Sequence, residues 1–265
     1  MGSHDIWFDL IPAFKGLKEN LAHAMGKTWI GGEPVHELNH VVMALVVFAL
    51  LVFIALRYKA RVAASGDGGV VPEKGFNARS FVEVVGEATL SVMSGIMGPE
   101  AAKKYFPLIG TMAFFILISN LVGQIPGLAA PTGNFNTTAA CAIVIFLVVH
   151  VNGVRANGIA YFKHFLGPVG WLAPLMLPIE IFSHLVRPFS LAVRLMCNMF
   201  ADHTLLLAFL GLVAAPILIP LPVMGLGLLV CIVQTAVFCL LSTVYIAMAI
   251  EHHEEGHGDA HGHGH

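Results

Sequence analysis

Charge is scarce in this sequence. Its 265 residues hold 14 Lys and Arg against 16 Asp and Glu, 11% charged in all, for a formal net charge of −2. A soluble domain averages about 25% charged residues, and a chain without basic excess offers nucleic acid no electrostatic footprint. Cysteine is sparse too: Cys141, Cys197, Cys231 and Cys239 all fall inside apolar runs. Their spacings match no zinc or disulfide framework, and they read as buried small hydrophobes. The opening MGSHDIWFDLIP carries Asp5 and Asp9 and lacks a basic run, so no signal peptide is expected. No internal repeat is visible, which argues against a stand-alone secondary transporter.

What is abundant is apolar surface, at 57% of residues and a mean hydropathy of +0.81. Several runs approach the ~20 residues that cross a bilayer as helix, which makes this an all-α polytopic membrane protein with little soluble mass. Residues 1–36 are mixed and punctuated by Gly and Pro, an external or interfacial segment; 37–252 form the membrane domain; 253–265 form a His-rich cytoplasmic tail. About five spans are expected, near residues 40–56, 106–122, 137–151, 171–212 and 223–250. Residues 81–97 mix Glu83 and Glu87 with apolar residues at helical spacing, an amphipathic helix at the membrane surface. Arg57, Lys59 and Arg61 after the first span, and Arg155 and Lys163 after the third, place those ends in the cytoplasm, whereas the loop GQIPGLAAPTGNFN carries no charge. The chain then starts outside and ends inside.

The fourth span is too long. Forty apolar residues as helix extend about 60 Å, twice the hydrocarbon thickness, so it must be tilted, kinked or divided. It also carries most of the intramembrane polarity. On a wheel of about 100° per residue with Arg194 at 0°, Arg187 falls near +20°, Glu180 and Asn198 near +40°, and His184 and Asp202 near +80°. This stripe climbs about 33 Å, a full bilayer core. On the last helix Gln234, Ser242 and Tyr245 share a weaker polar arc. A permanent cation in hydrocarbon costs at least about 2.5–3.5 kcal/mol, and the nearest acids on its stripe, Asp202 and Glu180, stand eight and fourteen positions away. Two facing polar stripes suggest an ion pathway, and a cation with no acid within a turn implies a partner carried elsewhere, such as another chain.

Fourteen histidines raise a membrane metalloenzyme or haem protein as a rival. Six of them lie from His252 to the end of the chain, Glu180-x-x-x-His184 is not the zinc-protease arrangement, and no pair of spans offers four facing histidines. No cofactor or metal is therefore expected, and the tail reads as a solvated segment able to bind metal ions. His40 and His150, at span ends, read as interfacial.

The run PIEIFSHLVRPFSLAVRLMCNMFADH resembles the signature of subunit a of F-type ATP synthases, above all in its PxSLxxRLxxNMxA core. SNLVGQIPG, PTGNFNTT and QTAVFCLLSTVYIAMA agree with it, and the resemblance runs from about Phe81 to His252. It implies a proton-translocating stator with two half-channels, and a long tilted hairpin wrapping the rotor. Arg194 would be the essential arginine facing a carboxylate of the c-subunit ring, with Asn198 and Gln234 flanking it. Glu180, Ser183, His184 and Ser190 would line the cytoplasmic half-channel, and Asp202, His203 and Tyr245 fall where further polar groups of the proton pathway are expected. One departure stands out. The family often pairs a group nine residues after the arginine with a titratable group seven before the glutamine; here these are His203 and Gly227, and Asp202 is an extra acid.

The resemblance further implies the c-ring, the b subunits and the peripheral stalk as partners, the lipid bilayer as surroundings, and a multi-pass position in a bacterial inner membrane. The chain carries no phosphate-binding loop and is not expected to be an enzyme on its own. H⁺ against Na⁺ as the transported ion is open at the level of sequence.

Overall fold

The computed structural model describes residues 39–64, 77–125, 128–158, 173–212 and 220–251, together with Gly16 and Asn20. The expected N-terminal segment, apart from those two residues, and the His-rich tail lie outside the described residues. Among the described residues six long α-helices follow one another: α1 (Asn39–Ala64), α2 (Ala78–Met97), α3 (Pro99–Gly123), α4 (Phe135–Asn157), α5 (Ala173–Leu212) and α6 (Pro220–Glu251). A 3-10 turn, Pro131–Gly133, precedes α4. All six helices are long and apolar enough to cross a membrane by length and composition. The segment expected as an amphipathic surface helix is thus a 20-residue helix of borderline hydropathy, with Glu83 and Glu87 among its few charges.

Local chemistry sets the boundaries. Gly98, at φ 78°, ends α2 in a conformation that a side chain would oppose, and Pro99 starts α3 at once, so the two helices meet in a sharp corner. Asn134 caps α4, its side chain accepting from the Asn136 backbone N–H at 2.9 Å. Near the start of α2 the Arg79 guanidinium, only 1% exposed, donates through Nε to Glu83 Oε1 at 2.7 Å. A buried cation needs such a partner, and the i,i+4 spacing supplies it from the same helix face.

In the centre α3, α4, α5 and α6 pack around Ile109, Ala113, Ile116, Ile145, Leu195 and Phe238. Lipid is as apolar as these side chains, so close contact rather than water expulsion holds the helices together. Small residues at the seams (Ala113, Cys141, Ala142, Cys239, Ala247) permit it. Gly123 is the tightest point: an added Cβ would overlap that of Ala130 and stand 3.2 Å from the Ala130 Cα and 3.1 Å from Met199 Cε. Gly123→Ala must move backbone and should cost about 1–3 kcal/mol, measurable as less subunit retained in membranes and a lower thermal midpoint in detergent.

The fourth expected span is one unbroken 40-residue helix with Pro178 and Pro188 inside it. Its contacts with α4 give its attitude. Phe189 meets Phe135 edge-on at 6.0 Å, and His184 meets His150 edge-on at 5.6 Å. These pairs are 15 residues apart on α4 but five apart on α5, or about 22 Å against 8 Å of helix rise. α5 therefore crosses α4 steeply, which accommodates its length.

Candidate functional site

The polar residues of α5 divide into three levels and an outer face. Towards the α5 N-terminus, His184 Nδ1 lies 3.1 Å from the backbone oxygen of Glu180 and 3.4 Å from its Oε1. The carbonyl can only accept, so Nδ1 carries the proton. The edge-on His150 comes from α4, its own Nδ1 held by the Phe146 carbonyl at 2.8 Å. Arg187 lies over the ring of Tyr245 on α6 at 5.6 Å, a cation–π contact. His150, His184, Arg187 and Tyr245 line one cleft whose remaining walls are apolar, and Ser183 is half-buried on the same stretch of α5.

At mid-length, Asn198 Nδ2 donates to Gln234 Oε1 at 2.8 Å, tying α5 to α6. Gln234 is 4% exposed, and its Nε2 and the Ser242 hydroxyl have no hydrogen-bond partner among the described residues. Buried donors without partners mark places for water or for a transient ligand.

One level further along α5, the Gln124 amide at the end of α3 donates to Asp202 Oδ2 and lies 3.6 Å from Cys231 Sγ on α6. Gly227, one turn before Cys231, is buried against the same pair. His203 is half-buried, with Nδ1 unpartnered among the described residues.

Arg194 and Ser190 take part in none of these clusters. Both are exposed, and Arg194 makes no hydrogen bond or ion pair among the described residues. The wheel explains the division: Leu191, Leu195 and Met199, buried at about +60° to +140°, face the core. Val186, Phe189, Cys197 and Phe200, at about −60° to −140°, are exposed. Asn198 and Asp202 sit on the inner shoulder of this division and reach α6 and α3. Arg194 stands at its rim, beside an outward apolar face.

Sequence reasoning missed two members. Gln124 ends an apolar helix next to a charge-free loop, where a lone amide reads as interfacial. His150 also sits near a helix end, and only the steep crossing of α5 brings His184 to it. The four-residue interval from Phe146 to His150, an aromatic below a histidine on one helix face, was the available hint. Among the described residues, no three His, Cys, Asp or Glu side chains group so as to hold a metal ion.

A bundle of long apolar helices, with stacked polar levels inside and an arginine unpaired among the described residues at the rim of a largely apolar face, defines a polytopic membrane protein built around intramembrane ionisable groups. A family model described as ATP synthase A chain matches residues 39–247. The chain is 47% identical over 213 residues to ATP synthase subunit a 2 of Syntrophotalea carbinolica, covering 80% of this chain and 86% of that one. It is 41% identical over 244 residues to ATP synthase subunit a of Sorangium cellulosum, covering 91% and 94%. It is also 50% identical over 173 residues to the subunit a of Trichlorobacter lovleyi, covering 65% and 74%. The chain belongs to the ATP synthase subunit a family, whose members are membrane subunits of the ATP synthase complex.

Proposed function

We propose that this chain is the proton-translocating stator of an F-type ATP synthase, with Arg194 set opposite the carboxylate of a rotating c-ring. The observation that carries the reading is the exposed Arg194, with no acid paired to it among the described residues, at the rim of a largely apolar helix face. Such a face fits a second apolar surface, and a cation on it fits a partner that brings an anion.

The mechanism follows from the cost of charge in hydrocarbon. A ring carboxylate facing lipid must carry its proton, because an unpaired buried charge is too costly. Opposite Arg194 it can ionise, since a nearby cation favours the charged form. Protons reach and leave it through two half-channels that do not meet. Glu180, Ser183, His184, Ser190 and the Arg187–Tyr245 contact serve the cytoplasmic side, Asp202 and His203 the external side, and Asn198 with Gln234 the boundary between them. The arginine also repels any proton that would cross directly. Each charge crossing the membrane releases about 2.3 kcal/mol per 100 mV, so a direct wire would dissipate what rotation should capture. The chain works as a non-nucleotide-binding subunit, with the b subunits and peripheral stalk holding it still. It spans the bacterial inner membrane with its N-terminus outside and C-terminus in the cytoplasm.

Cross-linking tests the facing surfaces. In the complex, with Cys197 replaced by serine, Ser190→Cys should form a disulfide with a cysteine placed beside the ring carboxylate. Leu195→Cys, which points into the core, should form none. A disulfide from the inward position as readily as from the outward one overturns the orientation.

A further inference from the structure

We infer that Gln124 is a positioning residue that fixes the carboxylate of Asp202 in the external half-channel; the inference rests on the pathway role proposed for Asp202. Three helices meet at this point. Gln124 is the residue at the C-terminal end of α3, in helical conformation and 9% exposed. Its Nε2 donates to Asp202 Oδ2 on α5 and reaches Cys231 Sγ on α6. A side-chain amide has two N–H donors, and both have a destination here.

The geometry is not that of an incidental surface contact. A Cβ on Gly227 would stand 2.5 Å from Gln124 Nε2, 2.6 Å from Gln124 Oε1 and 2.6 Å from Asp202 Oδ2. The amide and the carboxylate occupy the volume that any side chain at position 227 would fill. The carboxylate is thus held at a defined place rather than free to swing among rotamers. Asp202 has little else to hold it: no salt bridge to it is formed among the described residues. A neutral amide suits the task because it orients a carboxylate without neutralising it, where a cation would form a lasting ion pair. Cys231, a weak acceptor, takes the second N–H and sets the amide's rotation.

The test uses the whole complex in inverted vesicles, and measures passive proton conductance after removal of the catalytic sector. Gln124→Leu supplies an apolar, branched side chain one atom shorter and has no donor. It should assemble normally and lose about tenfold in conductance, as fits one hydrogen bond to a charged group. Gln124→His, which retains a ring N–H, should conduct better than the leucine variant. Because Gln124 acts through Asp202, the double variant Gln124→Leu/Asp202→Asn should conduct no less than Asp202→Asn alone. Full conductance in Gln124→Leu, or losses that simply add, overturns the positioning role. If Gln124→Leu does not assemble, Gln124→Met supplies the same comparison with a flexible apolar chain. Unimpaired conductance in Asp202→Asn overturns instead the pathway role of Asp202, so the two failures are distinct.

Discussion

Arg194→Ala should reduce ATP-driven proton pumping by the assembled complex to background, while the subunit remains in the membrane at its normal level. The two halves of this expectation come from the same fact. Arg194 forms no hydrogen bond or ion pair among the described residues and is exposed, so its removal breaks no polar contact among them. Truncating an exposed side chain that makes no hydrogen bond or ion pair among the described residues, and that carries a charge costing at least about 2.5–3.5 kcal/mol in hydrocarbon, should not destabilise the fold. In the proposed mechanism the arriving carboxylate, by contrast, loses the group that lets it ionise in passing, and the two half-channels lose the charge that keeps them apart. Pumping should fail while passive leak persists or rises. Arg194→Lys should fail nearly as completely. A desolvated ammonium can lose its proton and become part of the route it should block, and it lacks the planar fork that meets a carboxylate from varied angles. Quenching of a pH-sensitive dye in inverted vesicles reads pumping, and immunoblotting reads assembly. Normal pumping in Arg194→Ala would remove the basis of the proposed mechanism.

The sequence made the outline of this site legible because two kinds of information in it are local. Apolar runs near the length of a bilayer crossing place the helices, and a period of 3.6 places Arg194 and its neighbours on one arc. Neither depends on how helices pack. Periodicity could not tell which edge of the arc turns inward: Asn198 and Asp202, only about 40–80° from Arg194, reach α6 and α3, while Arg194 faces out. Nor could it bring Gln124 to Asp202, 78 positions along the chain, or His150 to His184. Those meetings depend on the crossing of α5 over α4 and on the closeness of α3, α5 and α6, which small residues permit. The helix ends were blurred for a related reason. α1 and α3 continue beyond their apolar cores through Arg57, Lys59 and Arg61 and through Lys103 and Lys104, because helical hydrogen bonding does not stop where hydrocarbon does.

Gly227 illustrates this best, since in sequence it reads as a missing titratable partner. In the fold it is a space. The groups that fill the space, the Gln124 amide and the Asp202 carboxylate, come from two other helices. Gly227→Val should therefore abolish proton conductance more completely than loss of Gln124 does, since it evicts both groups at once. The first atom of any side chain would stand 2.5–2.6 Å from three of their polar atoms, well inside ordinary contact distance. These atoms are the ends of side chains rather than backbone, so they can swing away and the helices need not part. This separates Gly227 from Gly123, where an added methyl meets the Ala130 backbone and the cost falls on stability. Gly227→Val should thus leave a subunit that assembles but does not conduct, and Gly123→Ala a subunit that conducts in proportion to the smaller amount assembled. Gly227→Ala should lie between wild type and Gly227→Val, because a methyl displaces the pair less far than an isopropyl group. Conductance per assembled complex decides the matter. If Gly227→Val conducts as wild type does, the carboxylate held against this glycine is not on the proton's route.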